Sequence, residues 1–174
     1  MINFYPATDI ARNEDHYDNM YKLIESFLET EKDWLAQMCN TIAMLNYLIK
    51  EISWIGFYLL KNNELILGPF QGKMAPSRIS LEKGSCGFAA TQLKTIRIDN
   101  VNKFEGYIQS DNSAFSEIVI PLFYQNKQKE FNNLIGVLTI NSQVFARFND
   151  ADEKGLEKVV ELIANKVAWP SGNS

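Results

Sequence analysis

The sequence predicts an α+β domain: a central antiparallel sheet of about six strands, with amino- and carboxy-terminal helices packed on one of its faces. Two observations carry this. Apolar residues recur at helical spacing at both ends of the chain. Between them the period drops to two, in segments rich in β-branched and aromatic residues and broken by Gly, Asn and Pro. A chain of 174 residues with 46% hydrophobic content suits one well-packed domain, and residues 1–174 are read as such. Helices are expected over 15–50, the sheet and its loops over 52–142, and a last helix over 150–168.

Tyr17, Met20, Tyr21, Ile24, Phe27 and Leu28 follow the spacing of one helical face. Thr30 and Asp33 are both candidate caps for a second helix, whose apolar stripe takes in Trp34, Leu35, Met38, Ile42, Leu45, Leu48 and Ile49. Residues 52–60 and 64–67 then read as a hairpin turning at Asn62 and Asn63. A short strand over 78–80 leads to Gly84, Ser85, Cys86 and Gly87, the start of a short helix ending near residue 92. Another strand follows over 95–98. Residues 99–115 are polar, irregular and long enough to be a functional loop. Strands over 117–123 and 134–141 flank a charged tip at 125–130. Asn149 or Asp150 caps the last helix, Asp152 and Glu153 favour its amino-terminal dipole, and Leu156, Val159, Val160, Ile163 and Val167 form its buried stripe.

Composition excludes several functions. A net charge of -4 gives no basic footprint for nucleic acid. No apolar run reaches the roughly 20 residues that span a bilayer. The first residues lack the basic and apolar regions of a signal peptide, and two cysteines suggest no disulfide framework, so a reducing cytoplasm is the expected compartment. His16 is the one histidine and is expected to be a solvated surface residue. With only Cys39 and Cys86 as companions it makes neither a zinc site nor a catalytic relay. No cofactor or metal is called for.

Strand alternation places Trp54 and Tyr58 on one face, and Thr139 and Asn141 on one face. Glu117 enters an apolar strand of Ile118, Val119 and Ile120, which points it to a pocket rather than to solvent. Cys86 lies between glycines that permit a tight turn, where helix-start N–H groups favour a thiolate. Cys39, beside Met38 and Ile42, is expected to be a small buried hydrophobe.

Five segments occur in this order: Trp54-Ile55-Gly56-Phe57-Tyr58, Gly68-Pro69-Phe70-Gln71-Gly72-Lys73, Lys83-Gly84-Ser85-Cys86-Gly87, Ser116-Glu117-Ile118-Val119-Ile120-Pro121 and Ile135-Gly136-Val137-Leu138. Together they resemble the free methionine-(R)-sulfoxide reductases, single GAF domains that reduce the sulfoxide of the free amino acid. The resemblance implies terminal helices on one face of the sheet and a ligand pocket on the other. It implies cysteines at three places, of which this chain keeps Cys86; the others are Pro76 and, at the nucleophile, Ser110 followed by Asp111. It makes Trp54 and Tyr58 a pocket wall, and Glu117 the residue that holds and protonates the substrate. Two family aspartates that would face an ammonium are here Thr139 and Asn141.

A serine hydroxyl is scarcely ionised at neutral pH and cannot pass through a sulfenic acid to a disulfide. The expectation is therefore a catalytically degenerate relative that keeps a pocket for a small polar, amino-acid-like metabolite. Two alternatives remain. One is an active reductase working through Cys86, with thioredoxin or glutathione as the outside thiol. The other is a regulatory module without a ligand, which forms a homodimer through its terminal helices.

Overall fold

A computed structural model describes residues 14–108, 114–124 and 129–170. Helices α1 (Glu14–Thr30) and α2 (Trp34–Leu48) precede strands β1 (Trp54–Lys61), β2 (Glu64–Gln71) and β3 (Arg78–Ser80). Helix α3 (Gly84–Gln92) leads to β4 (Ile96–Ile98), then β5 (Ser116–Phe123), β6 (Leu134–Ser142) and α4 (Asp150–Lys166). The six strands form one sheet in the order β3-β2-β1-β6-β5-β4, and every pairing is antiparallel. The expected α+β architecture is the one observed.

The two candidate caps do different jobs. Asp33 accepts a hydrogen bond from the Ala36 N–H and starts α2, whereas the Thr30 hydroxyl donates to the Phe27 carbonyl and closes α1. Asn62 and Asn63 both take positive φ, 50° and 59°, as a two-residue turn matched to strand twist requires. Strand β2 continues beyond the expected residue 67 to Gln71. Gly56 pairs with Phe70 but Tyr58 with Leu67, so β2 holds one extra residue at Gly68–Pro69. A bulge there accommodates a proline that cannot donate to the ladder.

Side-chain alternation splits the sheet into two faces. Ile55, Phe57 and Leu59 of β1, Leu138 and Ile140 of β6, and Ile118, Ile120 and Leu122 of β5 pack against α1, α2 and α4 as the larger core. Trp54, Tyr58, Val119 and Val137 point the other way, into a smaller core shared with α3 and Cys86. In α2 the buried arc runs through Gln37, Met38, Thr41, Ile42, Met44 and Leu45. Each step turns a helix by about 100°, which carries Cys39 out of that arc, so the expectation that it is buried is wrong: Cys39 is exposed. Leu35, placed on the apolar stripe, is likewise 48% exposed.

Helix α4 opens with a capping box in which the Asn149 side chain accepts from Asp152 N–H and Asp152 accepts from Asn149 N–H. Asp152 is more than a dipole partner. It is fully buried, bonded by both carboxylate oxygens to Arg147 Nη1 at 3.1 Å and to the Tyr17 hydroxyl at 2.5 Å. Arg147 also donates from Nε to the Lys50 carbonyl, so the guanidinium ties the chain just after α2 to the start of α4, and Asp152 carries the link on to Tyr17 of α1. His16 sits at the edge of the network, half-buried against Tyr17. Burial holds its pKa below the usual histidine value; the Asp152 charge works against this and the Arg147 charge with it. The solvated surface histidine expected from sequence is not what the fold contains.

Candidate functional site

The face of the sheet turned away from α1, α2 and α4 carries the expected site residues in register. Trp54 lies opposite Asn141 and Gly56 opposite Thr139. On the other side of β6, Asn141 faces Glu117 and Thr139 faces Val119. Period-two alternation thus gathers Trp54, Tyr58, Glu117, Thr139 and Asn141 on one surface, and all five are nearly or fully buried.

Gly56 makes the aromatic wall possible. A Cβ there would lie 2.4 Å from the Trp54 ring and 2.6 Å from Phe70 Cβ, so only glycine lets the indole lie back along its own strand. The indole stacks with Tyr58 at 6.2 Å and with Phe70 at 5.6 Å. Both polar tips are used. Trp54 Nε1 donates to the Lys73 carbonyl at 2.9 Å, and the Tyr58 hydroxyl donates to the Pro76 carbonyl at 2.8 Å. These bonds fasten residues 72–77 over the sheet.

Glu117 is the charged centre. Thr139 Oγ1 donates to its Oε1 at 2.9 Å, while Oε2 is buried and meets no hydrogen-bond partner among the described residues. Burial pushes the carboxyl up to about 7, and the Ser85 and Thr139 hydroxyls offset part of the effect. A carboxyl so placed can hold or release a proton near neutral pH.

Cys86 lies in the first turn of α3, 5% exposed. Gly84 takes φ +68° to begin that turn, beneath the Ile108 side chain. Gly87 lets α3 settle on the strand end, since a Cβ there would meet the Ser80 and Leu81 carbonyls at 2.7 Å. The helix start was expected to favour a thiolate, and the structure corrects this. Burial, followed by the neighbouring Glu117 charge, drives the thiol far upward, and the Thr139 and Ser85 hydroxyls only partly counter them. Desolvation and a like charge outweigh the partial charge of one short helix.

Tyr58, Cys86, Glu117 and Thr139 line one small cavity. Gly84, Ser85, Ile79 and Ile108 complete its wall; the Lys-Gly-x-Cys-Gly turn is the sequence signal that points to Ser85, and none points to Ile79 or Ile108. The free space is about 10 Å³, room for about one water molecule. Trp54 and Asn141 share the face but do not line this space. Ser110 and Asp111 lie outside the described residues. Pro76 contributes its carbonyl, not its ring, to Tyr58. A larger cleft of about 500 Å³ lies on the helical side, between α4 and the end of β5, and contains none of the expected site residues. Among the described residues no group of three His, Cys, Asp or Glu side chains is placed to hold a metal ion, and no helix is long and apolar enough to cross a membrane.

No protein-family model matches the chain. It is 40% identical over 154 residues to the free methionine-R-sulfoxide reductase of Escherichia coli (strain K12), covering 88% of this chain and 90% of that protein. It is 39% identical over 153 residues to GAF domain-containing protein A of Dictyostelium discoideum, covering 87% and 92%. The solved free methionine-R-sulfoxide reductase of Neisseria meningitidis, in complex with its substrate, superposes with a TM-score of 0.83 at 31% identity over 94% of each chain.

Proposed function

We propose a function from the premise that the chain belongs to the GAF-domain family of free methionine-R-sulfoxide reductases: it keeps the fold and a small-molecule pocket but does not carry out the reduction. Converting a sulfoxide to a thioether consumes two thiols and yields one disulfide and one water. A thiolate attacks sulfur, the oxygen leaves as water after protonation, and a second thiol closes the disulfide.

The observation that carries the proposal is the placement of the chain's two thiols. Cys86 is buried with its thiol held neutral beside Glu117. Cys39 is exposed on α2, across the sheet from it. Neither can serve as nucleophile and resolver to the other. Ser110, at the nucleophile's place in the motif, cannot ionise or be oxidised to a disulfide.

With Thr139 and Asn141 in place of carboxylates, Glu117 is the one buried carboxylate on this part of the face among the described residues. The ligand is then a small polar metabolite, amino-acid-like and less cationic than a free amino acid held by three carboxylates, and its entry requires the cavity to open well beyond its volume of about 10 Å³. Each lost opposite charge around a partly buried ammonium weakens its binding by about 1–3 kcal/mol.

The test is turnover. Purified protein with methionine-(R)-sulfoxide and either thioredoxin or glutathione should oxidise no reductant above background. Turnover that disappears in Cys86→Ala would establish the active alternative, with Cys86 attacking and the outside thiol resolving.

A second reading, a regulatory homodimer with no ligand, draws support from the closed cavity of about 10 Å³. Thermal-shift measurements with neutral and zwitterionic amino-acid analogues separate it from the first, because only a ligand-binding domain gains stability by mass action.

A further inference from the structure

The cleft between α4 and the end of β5 has a free volume of about 500 Å³, within the range of about 300–1,000 Å³ that holds small organic molecules. Strand geometry makes it. Ile96, the first residue of β4, lies opposite Val119, so β4 leaves the edge of β5 uncovered from Ile120 onward. Pro121 sits in that stretch while keeping its register with Val137 of β6; lacking an N–H, it has no donor to offer a further strand. An open edge blunted by proline resists strand addition and leaves room for a small molecule. Gly155 shapes the helical wall. A Cβ there would lie 2.1 Å from Tyr17 Cγ, so the glycine lets the Tyr17 ring lie on α4 and line the cleft. Half-buried Tyr124 adds a second ring.

The charges around this space are unequal. Lys94, Lys129, Lys154 and Lys158 share the lining with Asp18, Glu157 and Glu161, on a chain whose net charge is -4. Two of these carboxylates are engaged: Asp18 lies 3.8 Å from Lys158, and Glu157 accepts the Thr95 hydroxyl. Asp150, an acidic neighbour of Lys154, lies outside the lining and is held by Arg97 at 2.7 Å. Lys94, Lys129 and Lys154 therefore stand against Glu161 alone among the described residues of the lining. Lysine brings charge to a rim while its methylene stem covers apolar surface. A concave site with an excess of one charge concentrates ions of the other.

We propose that this cleft binds a small organic anion, with its charged group among Lys94, Lys129 and Lys154 and its apolar body against Pro121 and the Tyr124 ring. The site is separate from the Glu117 cavity, with which it shares no residue.

Phenyl phosphate, a dianion with a flat apolar body, is the probe; inorganic phosphate and phenol carry its two halves. Each is titrated into the full chain and followed by backbone-amide NMR. Phenyl phosphate should bind saturably and about tenfold more tightly than either half, with shifts gathered at residues 93–95 and 151–161. Raising the salt from about 50 to about 300 mM should weaken binding. The double variant Lys94→Gln, Lys154→Gln, whose parent side chains are both exposed, should bind about tenfold more weakly, and Lys61→Gln, at the end of β1, as the parent does. If the double variant's spectrum departs from the parent's beyond the cleft, Lys94→Gln alone decides, with a loss of about threefold. Equal affinity in the parent and the lysine variants would overturn the proposal. So would affinity no greater than for inorganic phosphate, or shifts gathered at Glu117 and Thr139.

Discussion

Glu117→Gln should reveal how much the buried carboxylate costs the fold. Its folded-state value of about 7 stands above the ordinary 4.5, so between these pH values the folded protein binds a proton that the unfolded chain releases. Stability is then fully present below pH 4.5 and is lost as pH rises through 7. At about 1.4 kcal/mol per tenfold change in proton affinity, the loss is about 3 kcal/mol. Glutamine removes the charge and keeps the shape. Its amide oxygen can accept from Thr139, as Oε1 does now at 2.9 Å, while its N–H₂ group sits where Oε2 has no partner and costs about 1 kcal/mol. The variant should therefore be about 2 kcal/mol more stable than the parent at pH 8, and about 1 kcal/mol less stable at pH 4.5. For a chain of this size the alkaline gain is a rise in Tm of about 4–8 °C. Urea titrations of both proteins at half-unit steps from pH 4.5 to 8.5 measure the difference. Parallel stability curves across that range would show that Glu117 does not carry the shift, and with it the account of how the cavity holds its proton.

Three further outcomes are expected. Arg147→Met leaves Asp152 buried without its guanidinium while Tyr17 still binds it, and should cost about 3–5 kcal/mol in chemical denaturation. A thiol reagent should modify Cys39 in the folded protein within mixing time and reach Cys86 only in denaturant, with no Cys39–Cys86 disulfide after mild oxidation. The triple variant Ser110→Cys, Thr139→Asp, Asn141→Asp should gain measurable thioredoxin-dependent sulfoxide reduction, and Ser110→Cys alone less. Because two new carboxylates beside Glu117 repel one another, circular dichroism must first confirm that the triple variant folds, and a folded variant without activity would mean that the pocket itself has been remodelled.

What the sequence disclosed, and what it hid, follows from the range of the interactions. That the pairs Trp54 with Tyr58 and Thr139 with Asn141 meet Glu117 on one surface is the work of strand register. Period two put each pair on a shared face because alternation is a local property of the backbone. Asn62 and Asn63 announced their turn for the same reason. The end of β2 was missed because Gly68 and Pro69 read as breakers, and only pairing with Gly56 and Tyr58 shows that a bulge absorbs them. Cys39 was misplaced because α2 is apolar over so much of its surface that the edge of its buried arc is set by neighbours rather than by pattern. The Cys86 thiol was misjudged because its proton affinity answers to Glu117, thirty-one residues away in sequence. The network of Tyr17, Arg147 and Asp152 left no trace at all, since Tyr17 and Asp152 are 135 positions apart.

The two hydrogen bonds that Trp54 and Tyr58 send to the carbonyls of Lys73 and Pro76 give these aromatics a second employment, as rivets for the segment that follows β2. Replacing either one unfastens a stretch of main chain along with any contact to a bound molecule. An alanine scan of the site would therefore credit ligand recognition with losses that belong to carpentry. The cleaner dissection uses Tyr58→Phe and acceptor-side changes in residues 72–77, which separate the rivet from the ring.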